Sequence, residues 1–241
     1  MQEIEEPRAG DDLYKGIKVI DADTHISEPY DLWTSRAPAK YRERVPQMRE
    51  TDGKWVWTIE GDISMGLSSA ASVIHKDRTK AEGLEFTDWR IPDVHPSCSQ
   101  VRERLEFMDQ TGIWAQIVYP NVLGFGGQGY SAAGGGGAAS RSRIDPELRL
   151  ISTQIYNDAM AEMQSESGGR LLPMALLPWW DIDLAVKEAE RCGTMGMKGD
   201  QYQLGSPVAR HGGPDWRFLG TALGILQRDR YASELPYRRE R

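Results

Sequence analysis

The chain has 241 residues, 39% of them hydrophobic, enough for one sizeable core and unlike a disordered or fibrous composition. Its 29 basic and 36 acidic residues give a net charge of -7, which leaves no overall positive field for phosphate backbones or anionic lipid, so nucleic acid and membrane surfaces are excluded as partners. Two cysteines, Cys98 and Cys192, are too few for a disulfide framework and are not spaced as a CxxC pair, and no apolar run reaches the ~18 residues of a spanning helix; a cytoplasmic protein is expected.

Residues 1–16 read as an acidic N-terminal tail without an apolar leader segment. The first strand is expected over residues 17–23, where Ile17, Val19 and Ile20 precede polar residues. Residues 28–96 are irregular and read as an insertion carrying a hairpin, with Thr51-Asp52-Gly53 as a turn before the alternating run from Trp55 to Ile59. Val101, Leu105 and Met108 share a helical face that Gly112 should cap, and an apolar strand follows over residues 113–119.

A glycine-rich loop, residues 124–137, lacks the GxxxxGK[ST] pattern of a phosphate cradle. Asp145-Pro146 opens a second helix, with Leu148, Ile151, Ile155 and Ala159 on its inward face. Residues 171–177 form the next strand, in which Pro173 points to an edge or a bulge. A third helix over residues 182–192 turns Ile182, Ala185 and Ala189 inward, and residues 195–198 supply a further strand. This βαβαβαβ succession indicates an α/β fold with a mostly parallel sheet; periodicity alone leaves open whether that sheet closes into a barrel.

Alternate residues of a strand face the same side, so Asp23 and His25 should project together from the end of the first strand. A carboxylate and an imidazole suit a divalent zinc or manganese ion, although two ligands make an incomplete site. Taken alone, the pair also reads as a strand-end acid and a hydrogen-bonded histidine. Glu28, Asn121 and Lys198 are weaker substrate-binding candidates: Glu28 follows His25 closely, and Asn121 and Lys198 end predicted strands, the side on which barrel sites are built. Glu28-Pro29 could equally begin a helix, and Pro120-Asn121 could simply make a turn. His75 and His95 have no ligand spacing. No catalytic residue is assigned.

The run Val19-Ile20-Asp21-Ala22-Asp23-Thr24-His25-Ile26-Ser27-Glu28-Pro29 resembles the opening of amidohydrolase-related (amidohydrolase 2) proteins of the aminocarboxymuconate-semialdehyde decarboxylase type. Tyr119-Pro120-Asn121, Leu177-Pro178 and Gly196-Met197-Lys198-Gly199 follow in the same order. The resemblance covers residues 18–204. It implies a (β/α)8 TIM barrel of the metal-dependent hydrolase type, with Asp23 and His25 as the first metal ligands. It also implies hydrolysis or nonoxidative decarboxylation of a small carboxylate-bearing molecule.

The family's later ligands, a strand-end histidine, a catalytic histidine and a late aspartate, have no recognisable counterpart. His211 lies among Arg210, Gly212, Gly213 and Pro214 and reads as a loop residue. A full barrel uses ~250 residues; with the long insertion, only about four strands fit. The expectation is therefore a partial barrel over residues 17–204 and a divergent tail over residues 205–241, where Trp216, Leu219, Leu223 and Leu226 could form one helix. Truncation, or a shifted frame near Leu204, would explain the missing half. Unpaired strand edges would then favour a homo-oligomer. Two other readings stand beside this one: a noncatalytic truncated or degenerate family member, and a haloacid-dehalogenase-like phosphatase built on Asp21 and Asp23, for which His25 replaces the expected Thr or Val.

Overall fold

The computed structural model describes residues 16–51, 54–67, 70, 72–122, 144–178 and 180–201. The glycine-rich loop, the tail helix expected from Trp216 and His211 lie outside the described residues, as do most of the N-terminal tail and the Asp52-Gly53 turn.

Four strands form a parallel sheet: β1 (Val19–His25), β5 (Ile113–Tyr119), β6 (Leu171–Leu176) and β7 (Gly199–Gln201), in the order β1-β5-β6-β7. Among the described residues three helices connect them: α1 (Val101–Thr111), α2 (Pro146–Glu166) and α3 (Ile182–Thr194). The strand order never reverses, so right-handed crossovers place all three helices on one face, as in a singly wound sheet. Among the described residues the sheet is open and closes no barrel, with β1 and β7 at its edges.

The helix ends follow the local chemistry of the sequence. Gly112 caps α1 in the left-handed region at φ 75°, its N–H donating to the carbonyls of Met108 and Asp109. Asp145 caps α2 by accepting from the Glu147 N–H, with Pro146 in the first turn. Asp181 caps α3 by accepting from the Leu184 N–H.

Three expectations need correction. The insertion holds more than a hairpin: β2 (Gln47–Thr51), β3 (Lys54–Ile59) and β4 (Ile63–Leu67) form an antiparallel sheet of their own. Pro173 lies in an interior strand, not at an edge. Pairing with β5 reaches Pro173 and pairing with β7 starts at Met174, so the proline stands where the ladder passes from one neighbour to the other. The last strand begins at Gly199, because α3 runs through Gly193 and turns out only at Gly196, at φ 84°.

The insertion shares the core of the parallel sheet. Trp33 and Trp57 are buried and meet edge to face at 5.4 Å, in one cluster with Ile59, Leu148, Tyr156, Met160 and Leu171. The Trp33 indole donates to the Ser152 carbonyl at 2.9 Å, and Arg44 joins Glu60 (2.7 Å) and Asp145 (3.1 Å), tying the small sheet to the start of α2. On the other side of α2, the buried Asn157 side chain bonds both the N–H (2.8 Å) and the carbonyl (2.9 Å) of Leu176 in β6 and reaches Glu188 of α3 (2.7 Å). These directional bonds fix how α2 sits between β6 and α3.

Candidate functional site

Pairing between β1 and β5 slips just before the predicted donors. Asp21 pairs with Gln116 and Thr24 with Val118, so Ala22 and Asp23 together face the single residue Ile117. This is a β-bulge, and it reverses the facing of everything beyond it. In a regular strand Asp21, Asp23 and His25 would share a face. Here Asp21 and Thr24, an odd distance apart, both reach toward α1, and Asp23 and His25 flank Thr24 on the opposite face. His25 lies 6.0 Å, centroid to centroid, from Tyr119, its register partner on that face.

On the helix side the anchor is Arg104 of α1, only 6% exposed. Its Nη2 donates to Thr24 Oγ1 at 2.7 Å and to the His25 carbonyl at 2.9 Å, and its Nε donates to Gln116 Oε1 at 2.8 Å. Gln116 passes the contact on, its Nε2 donating to Asp21 Oδ2 at 3.0 Å. Burial lowers the Arg104 pKa to about 10, against the raising effects of Cys98 and Asp21, and leaves it a cation at neutral pH.

His25 is half-buried, and its Nδ1 lies 2.9 Å from the Pro120 carbonyl oxygen. A carbonyl can only accept, so Nδ1–H donates to it, as the non-ligating nitrogen of a metal-binding imidazole usually does. Asp23 is exposed beside it, with its own N–H turned to Asp21 Oδ1 at 3.3 Å.

Glu28 is fully buried and holds the loop after β5. Its Oε1 accepts from the N–H groups of Asn121 (2.9 Å) and Val122 (3.0 Å), and its Oε2 also accepts from Val122 (3.0 Å). Loss of hydration pushes its pKa up to about 7, more than the backbone N–H groups of Glu28 itself, Val122 and Asn121 pull it down. Tyr156 is buried nearby, its phenol pushed well above the usual range by burial and then by the Glu28 charge.

Of the predicted site residues, Asp23, His25 and Asn121 come together at the C-terminal edge of β1 and β5. Glu28 is buried behind the loop and braces it through the Asn121 and Val122 N–H groups. The chain after Pro29 forms turns, so the alternative of a helix start there also fails. Lys198 does not end a strand: it is exposed and lies one residue ahead of β7. His75 and His95 lie in the insertion, His75 beside Asp77 (3.0 Å) and His95 beside Ser97 (2.9 Å). Among the described residues, no group of three or more His, Cys, Asp or Glu side chains is arranged to hold a metal ion.

Sequence reading missed Arg104 and Gln116. A signal was present in α1, because position 104 falls on the apolar face between Val101 and Met108, where a charged side chain needs a buried partner.

No protein-family profile and no curated protein matches the chain. Among solved structures it is similar to an amidohydrolase from Mycobacterium avium subsp. paratuberculosis K-10 (19% identity, TM-score 0.49), over 75% of this chain and 48% of that one. It is also similar to the IDCase of Metarhizium anisopliae (12%, TM-score 0.48; 88% of this chain, 49% of that one). A third is 5-carboxyvanillate decarboxylase from Sphingomonas paucimobilis (16%, TM-score 0.44; 87% of this chain, 48% of that one). The chain thus spans about half the length of these structures.

Proposed function

We propose that this chain supplies the opening strands of an amidohydrolase-related, metal-dependent scaffold that acts as a nonoxidative decarboxylase or hydrolase on a small carboxylate-bearing molecule. The observation that carries the proposal is the orientation of His25. Its Nδ1–H is committed to the Pro120 carbonyl, and the bulge turns its ring and the Asp23 carboxylate to the face away from the helices. The two side chains fit half of a zinc or manganese ligand set, a carboxylate oxygen and an imidazole Nε2. A divalent ion held there would act as a Lewis acid toward the substrate's carboxylate or hydroxyl group, or would lower the pKa of bound water. The chain's own part is to present the two donors, to place the half-buried Asn121 at the same strand edge, and to brace that edge through Glu28.

A noncatalytic family member is the second reading, favoured by the presence of only two donors among the described residues. The phosphatase reading is not the one favoured, because Asp21 Oδ2 accepts a hydrogen bond from the Gln116 side chain. The proposal places the protein in the cytoplasm, as a homo-oligomer; its two cysteines are buried and free, as a reducing compartment allows. No helix among the described residues is long and apolar enough to cross a membrane.

The deciding measurement is elemental analysis of the purified protein after loading with zinc or manganese and desalting, with Asp23→Ala and His25→Ala alongside. Near-stoichiometric metal in the parent, lost in both variants, is expected. Metal retained in both variants would remove the pair from the site, and metal absent from the parent would favour the noncatalytic reading.

A further inference from the structure

We propose that Arg104 is the positioning residue of the Asp23–His25 pair, its buried guanidinium holding the bulged register of β1 that turns both donors to one face. The metal side of this inference rests on the proposed function; the positioning itself does not. Without the bulge, the chain beyond Asp21 would shift by one place against β5, and Thr24 and His25 would exchange faces.

The three Arg104 contacts span the bulge. One guanidinium nitrogen bonds both the Thr24 hydroxyl and the next carbonyl, while Nε bonds Gln116, the partner of Asp21 on the far side of the bulge. Asp21 and Thr24 are therefore held on the helix face from both ends of the irregularity. Arg104 Nη1 has no hydrogen-bond partner among the described residues, so packing alone does not account for a cation at this position. A buried ion pair is often replaceable by apolar side chains without loss of stability, whereas directional bonds to a strand are not supplied by a methyl group.

The test compares Arg104→Met, Arg104→Lys and Met108→Ala. Met108 is fully buried one turn further along the same helix, so its truncation weakens α1 packing without touching the network. The first readout is the side-chain nitrogen NMR spectrum of His25 in ¹⁵N-histidine-labelled protein, assigned with His25→Ala. The second is binding of cobalt(II) chloride, followed by absorption. In the parent and in Met108→Ala, His25 should hold the Nδ1–H tautomer. In Arg104→Met the tautomer should be lost, and cobalt affinity should fall at least ~10-fold, as for loss of a supporting partner at a metal site. Arg104→Lys, which can still donate to Thr24 and the His25 carbonyl, should restore most of both.

Equal effects of Arg104→Met and Met108→Ala would reduce Arg104 to a packing residue and overturn the proposal, as would an unchanged His25 spectrum in Arg104→Met. If the parent binds no cobalt, the metal reading fails while the His25 spectrum still decides the positioning role. If Arg104→Met does not fold, Gln116→Leu cuts the link to Asp21 and keeps the bonds to Thr24; an unchanged His25 spectrum there overturns the proposal.

Discussion

Glu28 should make the protein lose stability as pH rises from about 4.5 toward neutrality, the reverse of what paired surface carboxylates do. Its pKa is raised from the ordinary 4.5 to about 7 in the folded chain, so between those values the folded state binds more protons than the unfolded one. Unfolding free energy then falls with rising pH over that window and levels off above it. Each tenfold step in proton affinity is worth about 1.4 kcal/mol, which makes the whole effect about 3 kcal/mol. Glu28→Gln removes the titration but keeps a carbonyl oxygen where Oε1 accepts from Asn121 and Val122. Urea unfolding of both proteins from pH 4.5 to 8 isolates the effect, since every other titrating group is common to the two and cancels in the difference. Relative to the parent, Glu28→Gln should gain about 3 kcal/mol across the range. A difference that stays constant would show that Glu28 ionises as an ordinary carboxyl despite its burial, and would refute the account of the brace.

Three further outcomes follow from the packing. Asn157→Ala should cost about 2–4 kcal/mol in chemical denaturation, because it strands the N–H and carbonyl of Leu176 in the interior, whereas Glu188 Oε1 keeps its bond from Arg191. Gly112→Ala should cost about 1 kcal/mol through the positive φ alone, since the space around an added Cβ is open; a neutral result in a thermal melt would mean that the α1 cap relaxes. Arg44→Met should cost no more than about 1 kcal/mol, and less at high salt, because the guanidinium that joins Glu60 and Asp145 is 39% exposed. A salt-independent loss larger than that would assign Arg44 a packing role.

Elements whose burial follows one period and whose ends carry a specific residue were legible in the sequence. The spacing of Val101, Leu105 and Met108 with Gly112, the Asp145-Pro146 start and the apolar run from Ile113 to Tyr119 all lie where the structure has α1, α2 and β5. Misplaced elements were those decided by tertiary pairing. A strand at residues 195–198 has the right composition, but α3 continues past Gly193, and pairing with Met174 selects Gly199 as the first residue of β7. The small sheet of the insertion was half legible: β2 carries no clean alternation of its own and is specified by its partner β3, whereas the alternating Ile63, Met65 and Leu67 of β4 went unread.

The candidate site shows how a sequence rule can give a correct pairing for an incomplete reason. Alternation beyond the bulge puts Asp23 and His25 on one face, but unbroken alternation would also put Asp21 there. An extra residue in a strand has no local signature when its cause is a side chain 80 residues away, here Arg104 reaching Thr24. The bulge separates the acid that serves the α1 contact, Asp21, from the acid offered to the open face, Asp23. A strand ending in Asp-Ala-Asp-Thr-His therefore does two jobs, one on each side of the sheet, and the register of a single residue decides which acid does which. Any variant that heals the bulge should put both acids on one face and abolish that division without altering either acid.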